Sequence, residues 1–250
     1  MSVLSKLLTA LLVLSLFCCI NTFAKDTEWS NTPHFSHQGF DFKAEGGFAV
    51  NTGESWEKYR FAFQPYFQMD SDKSTLYAGF QFGEGTIDAM GGMTLWPWVW
   101  NRMRVGVGTR YSFNRYDNIS LTHNMIVSGE IEARPFKWFG VKFLYGNMLK
   151  SRRIFAIDDK ERYIHNFTFV FSTQTDFYLP YDMKVSLIMA SYERYRYMLA
   201  VAPSFTLALS KRWANGLSVT FEDTARYTDF FTASTYYDGS EFRLLIGWEF

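Results

Sequence analysis

The stretch EFRLLIGWEF, residues 241–250, decides the fold. Phe242, Leu244, Ile246, Trp248 and Phe250 alternate with Glu241, Arg243, Leu245, Gly247 and Glu249. One face is continuously apolar, and the other is largely polar or small. A two-residue period is that of a strand, whose successive side chains point to opposite faces. In water a large apolar side chain at a terminus is awkward, because termini are usually exposed. A strand whose apolar face runs on to Phe250 therefore points to a medium other than water.

The other end of the sequence supports this. Lys6 precedes the run LLTALLVLSLFCCI (7–20), and NTFA (21–24) follows before Lys25. A basic residue, a short apolar run and a small residue at the cut predict a secretory leader cleaved after Ala24. The run is short for a membrane-spanning helix. A lipid-anchored start would use Cys18 or Cys19, but Phe17 and Cys18 stand where such signals carry a small residue. Both cysteines lie in the leader, so an exported chain must be held without disulfides, by its core or by its membrane. Lys and Arg total 25 and so do Asp and Glu, a balance that argues against nucleic acid as a partner. Aromatic residues make up 20% of the chain, high for a water-soluble domain.

Alternation continues through the rest of the sequence. FDFKAEGGFAV (40–50) sets Phe40, Phe42, Ala44, Phe48 and Val50 against Asp41, Lys43 and Glu45. KYRFAFQPYFQM (58–69) sets Tyr59, Phe61, Phe63, Pro65, Phe67 and Met69 against Lys58, Arg60, Gln64 and Gln68. With 74–83, 86–96, 102–113, 119–134, 139–148, 163–174, 183–192, 197–210, 217–227 and 241–250 there are about twelve segments. Most have the length a tilted strand needs to cross a bilayer. The connections alternate too. Short ones are expected at 70–73, 96–101, 134–139, 176–182 and 211–216, and longer, more polar ones include 149–162 and 223–240. The short set is crowded with Trp96, Trp98, Trp100, Phe136, Trp138, Phe177, Tyr178, Tyr181 and Trp213. Trp and Tyr favour the membrane–water boundary, so these read as one interfacial girdle.

An exported β-sandwich would also alternate. The many outward Phe and Leu, the loop asymmetry and the terminal Phe weigh against it. Over its whole length after the leader the chain resembles bacterial outer-membrane β-barrel proteins. The resemblance implies an all-β, antiparallel, up-and-down transmembrane barrel of about twelve strands. Residues 1–24 are then the leader, 25–39 an N-terminal arm on the periplasmic side or in the lumen, and 40–250 the barrel. The ending resembles the C-terminal signal by which such proteins are recognised by the barrel-assembly machinery. This implies Phe242, Leu244, Ile246, Trp248 and Phe250 as that signal, and an outer-membrane location among outer-membrane lipids.

Chemistry is then confined to the lumen and the loops. The expected pore lining is Lys43, Arg60, Asp88, Arg102, Arg104, Arg110, Glu130, Lys142 and Arg243. Centring hairpins on the short connections sets Asp88 opposite Arg110 and Glu130 opposite Lys142. Centring the intervening loop on Tyr116 sets Arg102 opposite Glu130. Opposed charges stabilise pairing and avoid uncompensated buried charge. A slip by one residue would reverse every face. The same procedure brings His165 opposite Ser191, facing outward near the outer rim, with Glu193 one pleat away. A Ser, a His and an acid can perform acyl chemistry, but no motif of outer-membrane lipases surrounds them. His34 and His37 are too few for a metal site, and VGVG at 105–108 lies in a strand with no helix after it, so no dinucleotide loop is expected. No cofactor is implied. The favoured function is a narrow porin or channel for small polar or anionic solutes, with a mild anion preference. The alternatives are a structural or surface-interaction barrel acting through its outer loops, and an outer-leaflet lipid-modifying enzyme.

Overall fold

The computed structural model describes residues 41–53, 56–63, 65–83, 86–116, 120–155, 163–192, 203–227 and 237–249. The expected leader, the 25–39 arm and Phe250 lie outside them. Thirteen strands account for almost all of these residues: β1 (Asp41–Gly53), β2 (Trp56–Phe63), β3 (Tyr66–Asp70), β4 (Ser74–Gly83), β5 (Thr86–Val99), β6 (Met103–Tyr116), β7 (Ser120–Phe136), β8 (Phe139–Ile154), β9 (Tyr163–Leu179), β10 (Met183–Ala190), β11 (Ser204–Arg212), β12 (Leu217–Tyr227) and β13 (Tyr237–Glu249). Each pairs antiparallel with its neighbour, and β13 returns to pair with β1. β2 and β3 both lie between β1 and β4, so they are two halves of one stave. The break falls at Pro65, which has no N–H to give to the ladder. Its carbonyl still accepts a hydrogen bond of 2.9 Å from the Phe80 amide. The thirteen strands therefore make the twelve staves expected from the alternation.

The register sets the width. From Val50, opposed residues run through Phe242, Asp223, Leu207, Leu187, Thr175, Val141 and Ala133 to Met103 on β6. From Phe48, two residues earlier, the opposite direction runs through Phe63, Phe82 and Ile87 to Arg115 on the same strand. The landings differ by twelve residues, and the two-residue offset at the start makes the stagger fourteen. At ~3.3 Å per residue and ~4.8 Å between strands, this closes with a tilt of about 40° and a backbone radius of about 12 Å.

The faces follow the alternation. On β7, Thr122, Asn124, Ile126, Ser128 and Glu130 are buried, while Met125, Val127 and Ile131 are exposed. On β13, Glu241 and Arg243 are buried, but Phe242, Leu244, Ile246 and Trp248 are 38%, 50%, 55% and 42% exposed. Polar inside and apolar outside is the arrangement a bilayer demands of a barrel. The strands are longer than read from sequence. β5 continues to Val99, β7 to Phe136, β8 to Ile154 and β9 to Leu179, so the aromatic stretches are strand ends with tight turns beyond them. Trp98, Trp100, Tyr181 and Trp213 are exposed at the short-turn end, where the girdle was expected. Trp96 is a correction: it continues the inward phase of Thr94 and is 1% exposed, while the register shift between Leu95 and Trp98, spanning Pro97, turns Trp98 outward.

Leu244 lies on the lipid face about halfway up β13. Leu244→Arg should destabilise the barrel by about 2–4 kcal/mol in reversible unfolding from lipid vesicles. A change within about 0.5 kcal/mol would contradict its outward placement.

Candidate functional site

Because inward positions alternate with outward ones on every stave, the lumen collects the polar half of each strand. At the short-turn end it holds a polar space, open to solvent, of about 930 Å³. Arg104, projecting from β6, organises one wall. Its Nη2 lies 3.2 Å from Asp70 and 2.8 Å from Glu132, and its Nη1 donates to the Ser71 carbonyl at 2.8 Å. The guanidinium sits over the Trp96 ring at 4.3 Å. Trp96 Nε1 donates to Thr75 Oγ1 at 3.0 Å, and that hydroxyl donates to Asp70 at 2.5 Å. Lys142 Nζ stands 3.9 Å from both Glu130 and Glu132. On another stretch of the wall Asp176 accepts from Gln174 and Ser186, and Arg134 covers the Tyr178 ring at 3.7 Å. Five carboxylates (Glu45, Asp70, Glu132, Asp176, Glu222) and four cations (Lys43, Arg104, Lys142, Lys184) line this space.

Further up, Glu130 forms a second hub. Its Oε1 accepts from Arg110 Nη2 at 2.6 Å and from the Thr94 and Ser128 hydroxyls at 3.2 Å each. Arg110 Nη1 donates to the Tyr192 hydroxyl at 2.9 Å. Arg110 is on β6 and Tyr192 follows β10, four staves away, so this bond is a chord across the lumen. Tyr192 packs with Ile126, Leu144, Met148, Val170 and Ala190, an apolar cluster on the inner wall. A space of about 780 Å³, open to solvent, lies alongside, bounded by Arg110, Leu144, Ile188 and Tyr192 and by Tyr66 and Met90. Nearer the seam, Arg243 meets Glu222 at 3.0 Å and is in contact with Glu241.

The expected lining residues fall as follows. Asp88, Arg104, Arg110, Glu130, Lys142 and Arg243 lie on the inner face, as does Lys43, which meets Glu45 at 2.5 Å. Arg102 is half-buried at a turn, and the side chain of Arg60 lies outside the described residues. Their partners differ from expectation. Asp88 opposes Asn114 and bonds to it, while Arg110 opposes Gly92. Glu130 opposes Leu144 and Gly106, and it is Glu132 that faces both Lys142 and Arg104. The faces hold and the rows slide by two to four residues, because strands run through the aromatic stretches taken as turns. The rim constellation is not formed. His165 opposes Ser151, with Ser151 Oγ 2.8 Å from its Nδ1. Ser191 instead bonds to the Phe171 backbone, accepting from its N–H at 2.9 Å. Glu193 lies outside the described residues.

Trp96, Tyr192, Asp70 and Asp176 escaped the sequence reading of the lining. Asp70 and Asp176 sat in segments read as turns. Trp96 keeps the inward phase of Asp88 and Thr94 but stood in a segment read as a turn, and Tyr192 matters only through a bond across the lumen.

Glu130→Ala should destabilise the barrel by about 3 kcal/mol, because Arg110 loses its buried partner. Adding Arg110→Ala should cost less than the sum of the two changes by at least about 1 kcal/mol in a double-mutant cycle. Strict additivity would show that the two do not act as a pair.

No protein-family model and no curated protein matches the sequence. Solved structures do resemble the fold. The NanC porin aligns with a TM-score of 0.58 at 10% identity, over 83% of this chain and 98% of that one. The KdgM porin aligns with a TM-score of 0.54 at 9% identity, over 83% and 99%. A second KdgM structure, in complex with disordered oligogalacturonate, gives 0.52 at 9% identity, over 83% and 99%. At such identities the likeness is one of fold: this closed barrel of twelve staves shares the outer-membrane β-barrel fold of those proteins.

Proposed function

We propose that the protein is a narrow channel of the bacterial outer membrane, passing small polar solutes. The observation that carries this is the lumen. A barrel of about 12 Å backbone radius is wider than the eight-stranded kind that side chains fill, and here it keeps a polar space, open to solvent, of about 930 Å³ at the short-turn end. The porin-like fold supports the same reading.

The wall charges favour weak rather than strong ion selection. Arg104, Arg110 and Arg243 all point inward, but each is held against a carboxylate. With five carboxylates to four cations around the larger cavity, the lining does not form the cationic track that a polyanion would need. The anion preference expected from counting inward arginines therefore gives way to a near-neutral lining, suited to small polar or zwitterionic solutes. Charge at a constriction still acts strongly on a passing ion, and the Arg110–Tyr192 chord is the narrowing contact. Outer-membrane lipids and the barrel-assembly machinery are the proposed partners, the latter through the apolar face of β13.

In planar bilayers the refolded protein should give small, discrete conductance steps. Arg104→Glu replaces the cation between Asp70 and Glu132 with a third carboxylate, so the reversal potential in a salt gradient should move toward cation selectivity. Tyr192→Ala, which removes the chord, should raise conductance. A folded barrel that never conducts, with or without Tyr192, would overturn the channel reading.

A further inference from the structure

The outward face is mainly apolar, but an acid and an amide stand on it well below the outer rim. Asp223 on β12 lies between Leu207 and Phe242 in its row of opposed residues, and Asn147 on β8 lies between Val127 and Phe169. Their neighbours fix their phase. Glu222 and Thr224 are buried on either side of Asp223, and Tyr145 and Leu149, two positions from Asn147, are 53% and 43% exposed. Both residues sit within described stretches, Val219–Tyr227 and Phe143–Ser151, with described strands beside them. The Oδ1 atom of each is buried and accepts no hydrogen bond. A buried polar oxygen without a donor is costly, and more so where lipid excludes water.

The two share a depth. Opposed residues lead from Asp223 through Leu207, Leu187 and Thr175 to Val141 on β8. In this direction the stagger carries each row toward the short-turn end, by about 3 Å per strand at a tilt of ~40°. Val141 therefore lies about 12 Å below Asp223. Asn147, farther up β8, regains about 15 Å, so the two side chains stand within about 4 Å of one height. β12 leaves the short turn at Leu217, which puts Asp223 about 15 Å above that end, inside an apolar band about 25 Å tall.

A carboxyl group and a carboxamide suit each other there. The amide N–H donates to one carboxyl oxygen, and a protonated carboxyl donates back to the amide oxygen. One such pair satisfies both orphaned oxygens without leaving a charge in hydrocarbon. Within one barrel it cannot form, because β8 and β12 are four staves apart. Between barrels it can. Copies inserted facing the same way keep each residue at its own depth, so Asp223 of one meets Asn147 of the next when β12 lies along β8.

We infer that this chain associates side by side in the bilayer, with the β11–β13 face of one copy against the β7–β9 face of a second and Asp223 hydrogen-bonded to Asn147. The two faces lie about a third of the circumference apart, so the contact is heterologous and repeats as a ring or a row rather than ending at a pair. The inference does not depend on whether the lumen conducts.

The test uses two single-cysteine barrels, each with Cys18 and Cys19 replaced by Ser. One carries Ala225→Cys, the next outward position above Asp223, and the other Leu149→Cys, the next above Asn147. Refolded together into lipid vesicles and treated with a short bis-maleimide, the mixture should give a cross-linked dimer that neither barrel gives alone. Adding Asp223→Leu to the first barrel, or Asn147→Leu to the second, should cut the cross-linked fraction at least about threefold. Migration that changes on boiling checks that these variants stay folded. No cross-link in the mixture would overturn the inference without recourse to the leucine variants. Equal cross-linking by either barrel alone would replace the heterologous contact with a two-fold one and overturn it as well. So would a cross-link that both folded leucine variants leave unchanged.

Discussion

Everything in this structure depends on closing a sheet inside a medium that cannot hydrogen-bond. Each backbone N–H and C=O at bilayer depth must find a partner within the protein, so a spanning sheet can have no open edge. The seam between β1 and β13 meets that demand with ten opposed pairs, from Lys43–Glu249 to Thr52–Ser240. Gly47 shows how close the two edges come. A Cβ at that position would collide with the Leu244 carbonyl oxygen, so a side chain there would push the seam apart.

Closure then determines the interior. Twelve staves with a stagger of fourteen give a ring too wide to be filled from its walls, and the strand period delivers every second side chain into it. Charges placed there would be costly unless paired. The wall resolves this locally: Arg104 with Asp70 and Glu132, Arg110 with Glu130, Arg243 with Glu222 and Glu241. Such pairs pin register across neighbouring strands and leave polar space between walls. On the outside the same period exposes Phe, Leu and Ile to lipid.

Most of the architecture was legible in the sequence because a two-residue period survives any error in where a strand begins. Glu241 and Arg243 inside, Phe242 and Leu244 outside, follow from alternation alone. The partners did not follow, since pairing needs the centre of each hairpin. Residues 96–99 and 134–136 look like turns by composition but belong to strands, with bulges between Leu95 and Trp98 and between Ala133 and Phe136. The β5–β6 turn centres beyond Trp100 rather than at Val99, which moved Asp88 from Arg110 to Asn114, and Trp96 keeps the inward phase of Thr94 while the bulge turns Trp98 outward. His165 and Ser191 failed as a pair for the same reason, because β9 runs on to Leu179. The bond from Arg110 to Tyr192 was invisible, as it spans staves that no hairpin joins.

The seam offers the most direct test. Val50 and Phe242 are opposed outward residues on β1 and β13, and opposed Cα atoms in an antiparallel pair lie ~4.5–5.5 Å apart, within disulfide reach. With Cys18 and Cys19 replaced by Ser, Val50→Cys with Phe242→Cys should cross-link on mild oxidation of the folded protein. The mismatched pair Val50→Cys with Ile246→Cys, four residues away along β13, should not. A folded barrel in which the matched pair fails to close, or in which both pairs cross-link equally, would contradict the closed twelve-stave register from which the lumen and its charges were derived.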